Sequence, residues 1–322
     1  MDWGEIFGPD ALVVLLSTSV AFAMPTALAA VGETVAERAG VINLGLEGML
    51  LSGALASFLV AYYVGSVALG TFAGVAIGIT LGALMAFLSV TLRTEQIING
   101  IAIVLVAQGV TAFTFEKLFG GGDQPTIAGI PDVDVPVLHS IPGVGPVLFE
   151  QNILFYISVA VALGICLLLT RTRFGLSVSA VGESPAAAEA MAVSVARTRW
   201  LALLVGGAMA GLGGAVLVLG QLNVFEEDVS GGRGWIAIAL VIFGRWNPLF
   251  VLGGAFLFGF TDALQIRVQA VSGGIASTVP TEIFGALPYV VTLLVMVAAT
   301  VWAGRDAQPA ALGIPFRKGV SA

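Results

Sequence analysis

Long apolar runs, broken by short polar clusters, organise this chain. They lie near residues 11–32, 43–63, 67–91, 97–118, 152–170, 200–221, 235–244, 248–267 and 284–303. A helix that crosses a bilayer needs about 20 mostly apolar residues, and every run but the seventh approaches that length. The run at 235–244 is too short to cross alone; it either extends into the glycines before it or forms half of a hairpin. Membrane β-barrels alternate apolar and polar positions in segments of about ten residues. Continuous runs instead predict an all-α, polytopic membrane helix bundle of about nine transmembrane segments, a single transmembrane domain over residues 1–322.

Composition supports the same class. Hydrophobic residues make up 58% of the chain and charged residues only 10%, against about 25% charged in a soluble domain. The single cysteine, Cys166, excludes an intrachain disulfide, and the single histidine, His139, excludes a multi-histidine metal site. A net charge of −7 argues against nucleic acid as a partner. Both lysines, Lys117 and Lys318, lack the Gly-Lys context of a phosphate-binding loop. Any ATP therefore binds to another subunit. The N-terminal stretch lacks the basic leader of a cleaved signal peptide, so the first run is expected to be a retained helix.

Positive charge orients the bundle. With nine crossings, Arg38, Arg93, Arg171, Arg173, Arg197, Arg199, Arg245, Arg305, Arg317 and Lys318 share one side, and only Lys117, Arg233 and Arg267 the other. The first set marks the cytoplasm, which puts the N-terminus outside and the C-terminus inside. Two connections stand out. Residues 119–150 form an extracytoplasmic loop rich in Gly, Pro and Asp, expected to be irregular. Residues 171–199 are cytoplasmic, bounded by Arg171-Thr172-Arg173 and Arg197-Thr198-Arg199. Within them Ser184 suits a helix N-cap, Pro185 the first helical position, and alanines follow. They predict a helix of about ten residues, too short to span.

Gly70, Gly74, Gly78 and Gly82 recur every four residues and place a stripe of small residues on one helix face, a packing device. Polar groups inside apolar runs point to function. Residues 32–48 hold four charges and four glycines and read either as a cytoplasmic turn, with Glu33 or Glu37 paired to Arg38, or as a broken helix beside a pathway. Asn43 and Glu47 share a face there. In the fourth run Gln96 and Asn99 share one face and Gln108 and Thr111 another, and the deeper pair is the better pathway candidate. Asp262, with Gln265 three residues on, needs water or a partner from another helix, because Arg267 lies on the far side. Asn43, Glu47, Gln108, Thr111 and Asp262 are therefore the expected substrate pathway. No catalytic set can be assembled, and the chain is not read as an enzyme.

The stretch Glu37-Arg38-Ala39-Gly40-Val41-Ile42-Asn43-Leu44-Gly45-Leu46-Glu47-Gly48 resembles the signature of permeases of ABC importers, in the branch of branched-chain amino acid, ribose, simple-sugar and nucleoside systems. Thr94–Gly100 and Ala180–Ala215 are similar to the same family. Gly232–Ala239 and Gly244–Pro248 resemble its nucleoside-type subset. The resemblance implies a multi-pass permease in the cell membrane, surrounded by lipid and paired with a second, longer paralogous permease. An ATPase subunit carrying ATP and Mg would dock on Gly182, Glu183, Ser184, Pro185 and Ala188, so this chain needs no cofactor of its own. A substrate-binding lipoprotein would deliver nucleosides, or simple sugars, to the outer face. A self-sufficient transporter, with Glu47 or Asp262 carrying a coupling ion, is the rival; it predicts inverted repeats, and no convincing pair of halves is evident.

Overall fold

A computed structural model describes residues 8–271 except 123, 137 and 140, seven positions between 285 and 297, and residues 308–316. Among the described residues, seven helices are long and apolar enough to cross a membrane. They are α1 (Pro9–Arg38), α2 (Leu46–Val64), α3 (Val67–Ala86), α4 (Gln96–Phe119), α6 (Ile153–Arg171), α9 (Val195–Ala215) and α11 (Pro248–Val271). Two of them continue in a π-helical turn, α3 through Phe87–Thr91 and α9 through Val216–Leu222. The remaining elements are a ribbon of β1 (Asp132–Asp134) and β2 (Glu150–Asn152), and the short helices α5 (Val144–Leu148), α7 (Arg173–Glu183), α8 (Pro185–Ala190) and α10 (Arg233–Phe243). The expected ninth span, 284–303, lies largely outside the described residues.

The middle of the bundle is α9, the most buried of the long helices. Small residues bring its neighbours close. A Cβ on Gly78 or Gly74 would meet the backbone oxygen of Gly207 or Gly211 of α9, and one on Gly207 or Gly211 would meet Gly78 or Gly74 in return. Gly70 faces the Ser57 carbonyl of α2, and Gly82 the Leu203 carbonyl of α9. The four-residue stripe of α3 thus seats backbone against backbone, the close approach that substitutes in lipid for a hydrophobic driving force between helices.

Helix α1 is 30 residues long although Pro25 lies inside it. Proline removes one helical hydrogen bond and frees the carbonyl four residues earlier. That carbonyl, Ala21 O, accepts a bond from Gln221 Nε2 at 2.6 Å. The π-helical turn of α9, which contains Gln221, is therefore what satisfies the proline break within the apolar layer, as membrane backbone requires.

Three sequence expectations change here. The first helix runs on to Arg38, past the end of its apolar run, because the polar residues Glu33, Thr34 and Glu37 are buried in it. The interruption before α2 is correspondingly short, residues 39–45. The connection 171–199 holds two helices rather than one. They meet at Ser184, whose backbone is extended (φ −149°, ψ 91°) because the following Pro185 disfavours a helical residue before it. Finally, the loop 119–150 is not wholly irregular, since Asp132–Asp134 pair antiparallel with Asn152–Glu150.

Candidate functional site

The chain between α9 and α11 departs most from regular helix. Thr126 and Val224 form a β-bridge, and Gln124 Nε2 donates to Glu226 Oε1 at 2.7 Å, so this stretch starts at the loop end of the bundle. Phe225 then packs with Leu51, Leu55 and Phe58 of α2. Ser230, Gly232 and Gly234 reach Glu47, and Trp246, after α10, reaches Glu37 in the last turn of α1. Residues 223–246 therefore traverse the bundle as an irregular descent followed by an 11-residue half-helix. The run at 235–244 extends into the glycines before it.

A half-helix that begins inside the bundle exposes backbone N–H groups with no helical partner and a partial positive charge. Glu47 meets both needs. Its carboxylate accepts from Ser230 Oγ (2.5 Å), Gly232 N (3.1 Å) and Gly234 N (2.5 Å). The side chain is 1% exposed. Gly234 lies so close to α2 that a Cβ would sit 2.5 Å from Glu47 Cα. Gly232 has φ +77°, which a side chain rarely adopts.

The first residue of α10, Arg233, places Nη2 2.7 Å from Asp262 Oδ2 on α11, and its Nη1 donates back to Ser230 O at 3.3 Å. Asp262 thus has a partner on another element. The sequence uses Arg233 as an orientation charge and as part of the Gly232–Ala239 resemblance, and assigns it no partner. The signal it offered was an arginine embedded among Gly231, Gly232 and Gly234.

The elbow between α1 and α2 is equally polar but less completely satisfied, since Glu33 Oε2 and Gln96 Nε2 are buried there without a hydrogen-bond partner. Glu33 Oε1 accepts from Asn43 N (3.0 Å), Asn43 Oδ1 from Gly45 N (3.2 Å), Gln96 Oε1 from Ile42 N (2.9 Å), and Glu37 Oε2 from Trp246 Nε1 (2.6 Å). Asn43 is fully buried. Neither Glu33 nor Glu37 pairs with Arg38, whose Nη2 donates to Ser179 Oγ of α7 at 2.8 Å. The expected Glu–Arg38 pair is thereby replaced, while the segment does turn at Ala39–Gly40 and Leu44–Gly45. Side chains of α1, α4 and the elbow itself thus accept from the N–H groups that lack helical partners.

The α4 residues divide differently from the sequence reading. Thr111 and Asn99 both line a cavity of about 520 Å³ between α2, α3 and α4, otherwise apolar apart from Ser52 and Thr80. Gln108 is not among its lining residues, and Gln96 turns to the elbow. Thr111 Oγ1 donates to the carbonyls of Ala107 and Gln108. The structure therefore brings Glu47 and Asp262 together around α10, leaves Asn43 in the elbow four residues before Glu47, and keeps Thr111 apart from them in the α2–α3–α4 cavity, with Gln108 outside its lining.

The arginine-rich end carries α7 and α8. Ser184 Oγ accepts from Ala187 N at 3.4 Å and caps α8, with Pro185 at its first turn. Gly182 and Ala188 face inward, whereas Glu183, Ala186, Ala187, Ala190 and Met191 are exposed. A six-residue helix thus offers a small apolar face next to a carboxylate. Arg38, Ser179, Glu183, Arg245, Trp246 and Asn247 surround a polar cavity of about 380 Å³ beside it.

The family described as "Branched-chain amino acid transport system / permease component" matches residues 15–299. The chain is 37% identical over 306 residues to a putative glucose ABC transporter permease protein (TsgC13) of Haloferax volcanii, covering 89% of this chain and 92% of that one. It is 31% identical over 318 residues to a guanosine ABC transporter permease protein (NupQ) of Bacillus subtilis, covering 96% and 98%. It is 29% identical over 316 residues to a nucleoside ABC transporter permease protein (NupC) of Lactococcus lactis, again covering 96% and 98%. Seven apolar helices, an interrupted crossing and a match along nearly the whole length make this chain a member of that family of multi-pass membrane permeases.

Proposed function

We propose that this chain is the membrane-spanning subunit of an ATP-driven importer for nucleosides or similar hydroxyl-rich solutes. The observation that carries the proposal is its near full-length similarity to guanosine and nucleoside permeases. The glucose permease, at higher identity, supports a second reading in which the solute is a simple sugar. Either solute is uncharged and needs hydrogen bonds rather than a counter-ion. The ion-coupled alternative loses support, because Glu47 already holds three donors and Asp262 an arginine.

The arginine-rich end faces the cytoplasm, so the N-terminus lies outside and the C-terminus inside. An ATPase subunit holding ATP and Mg docks on the accessible part of the expected segment, Glu183, Ser184 and Pro185, with α8 as the coupling helix; Gly182 and Ala188 are buried beneath that surface and seat it on the bundle instead. A second, paralogous permease completes the pathway, and a binding lipoprotein supplies solute beside the ribbon of β1 and β2. Thr111, Gln108 and Asp262 border the route. Glu47 and Asn43 act on it by holding α10 and the elbow in place.

The test is affinity purification in mild detergent, followed by reconstitution of the recovered subunits in proteoliposomes. ATP hydrolysis stimulated by guanosine but not glucose supports the nucleoside reading, and the reverse supports the sugar reading. Recovery of an active chain without any ATPase overturns both.

A further inference from the structure

Residues 308–316 lie across the arginine-rich end and touch three elements. Ala311 N donates to Gly182 O at the end of α7 (2.8 Å), and Gly313 N donates to Gly40 O just after α1 (3.2 Å). Phe316 packs on the cluster of Val181, Ala188 and Val195, which belong to α7, α8 and α9. Gly40 makes room for the segment: a Cβ there, where φ is +85°, would lie 2.8 Å from Arg199 Nη2 and 3.0 Å from Ala311 O. At Gly182 the close neighbour is the Arg38 carbonyl, and Pro309 Cβ is in ordinary contact.

One side chain ties these contacts together. Arg199 of α9 is 3% exposed. Its Nε donates to Ala39 O (3.1 Å) and its Nη1 to Ile314 O (2.9 Å). Nη2 is buried without a hydrogen-bond partner, and no carboxylate pairs with it among the described residues. A buried cation is costly unless a counter-charge or hydrogen bonds compensate its lost hydration, and two backbone carbonyls do so for Arg199. Here the rigid fork of donors reaches the elbow and the crossing segment at once, which a lysine's single ammonium does poorly.

We propose that residues 308–316 form a strap that carries displacement of α7–α8 to the α1–α2 elbow, with Arg199 as its positioning residue. The contact chain is continuous. It runs from Ala188 of α8 through Phe316 and Ile314 to Arg199, and from Gly182 through Ala311 and Gly313 to Gly40, three residues before Asn43. Coupling between sites travels through contiguous packed and hydrogen-bonded networks of this kind. The proposal rests on α8 being where the ATPase docks.

Hydrogen exchange of residues 40–46 tests it, measured in the permease–ATPase complex in nanodiscs with and without ATP plus vanadate. The wild type is expected to show an ATP-dependent change there. Arg199→Gln and Ala311→Pro, which removes the donor to Gly182, are expected to retain the bound ATPase and its hydrolysis but lose that change. Arg199→Lys, able to reach one of the two carbonyls, is expected to recover part of it. A purely stabilising strap would lower the melting temperature of these variants and leave the exchange change intact, which overturns the proposal. So does an unchanged elbow in the wild type, or loss of the ATPase from the strap variants. Replacement of Glu183–Ala188 tests the docking reading separately: if the ATPase still co-purifies, that reading fails whatever the strap does.

Discussion

The α3–α9 contact and the α10 crossing occupy the same bundle but are held by opposite means. Along α3 and α9, regular helices approach backbone to backbone through Gly74, Gly78, Gly207 and Gly211, with Ser57 Oγ of α2 also against Gly74. Around α10 the backbone is irregular, and Glu47, Ser230, Arg233 and Asp262 hold it with five directed bonds. The first contact has one tight arrangement, and extra volume there can be relieved only by moving a helix. The second is a set of discrete bonds that can exchange partners as a unit. A transporter needs both, a stiff frame and a segment with more than one satisfied state.

The largest effect should come from filling the stiff frame. Gly78→Leu places a side chain against the Gly207 carbonyl and is expected to cost more than about 3 kcal/mol, since overpacking usually costs about 1–3 kcal/mol even where side chains can adjust. Size-exclusion profiles should show little monodisperse protein. A normal melting curve for Gly78→Leu would mean that the α3–α9 contact is looser than described.

Next comes the capped half-helix. Glu47→Ala leaves the Ser230, Gly232 and Gly234 donors without an acceptor, an expected loss of about 3 kcal/mol. Glu47→Gln should fall between, because its amide nitrogen cannot accept from a backbone N–H. Melting in detergent ranks the three proteins, and equal melting of Glu47→Gln and Glu47→Ala would argue against the cap.

Asp262→Asn should cost less, about 2 kcal/mol, as loss of one charge-assisted bond. The double variant Arg233→Met with Asp262→Leu should regain most of that stability, because apolar replacement of an ion pair is often neutral, yet should lose transport. A double variant that transports normally would remove the pair from the mechanism. Smallest is Ser184→Ala, an exposed cap with a long 3.4 Å bond, expected to cost about 0.5 kcal/mol. Its readout is weaker ATPase binding with an unchanged melting temperature, and unaltered binding would place docking elsewhere on the surface.

Much of the bundle was legible from local pattern. Runs at 67–91, 97–118 and 152–170 lie within a residue or so of the observed helices, because lipid leaves a spanning backbone few alternatives to helix. The α3 glycine spacing announced a close contact, and Ser184-Pro185 a helix start, since caps and small-residue stripes are read over a few neighbouring residues. The nature of the 223–246 crossing was not legible. Its half-helix looks like an undersized span until Glu47, 183 residues earlier than Ser230, is seen to cap it. The fourth run misled for the same reason. Periodicity grouped Gln108 with Thr111, but the neighbours of α4 decided that Asn99 and Thr111 share a cavity while Gln96 serves the elbow.

By itself, then, the order of residues determined the membrane class, most helix positions, the family resemblance and the polar groups that had to be explained, all of which follow from local hydrophobicity and short motifs. Which donor each carboxylate meets depended on packing between segments distant in the chain. That packing paired Asp262 with Arg233, set Glu47 on α10, joined Gln221 to the carbonyl freed by Pro25, and drew residues 308–316 across Gly40 and Gly182. The physical reason is range. Burial is set by each residue and its near neighbours, whereas a buried polar group must find its complement wherever packing brings one within about 3 Å.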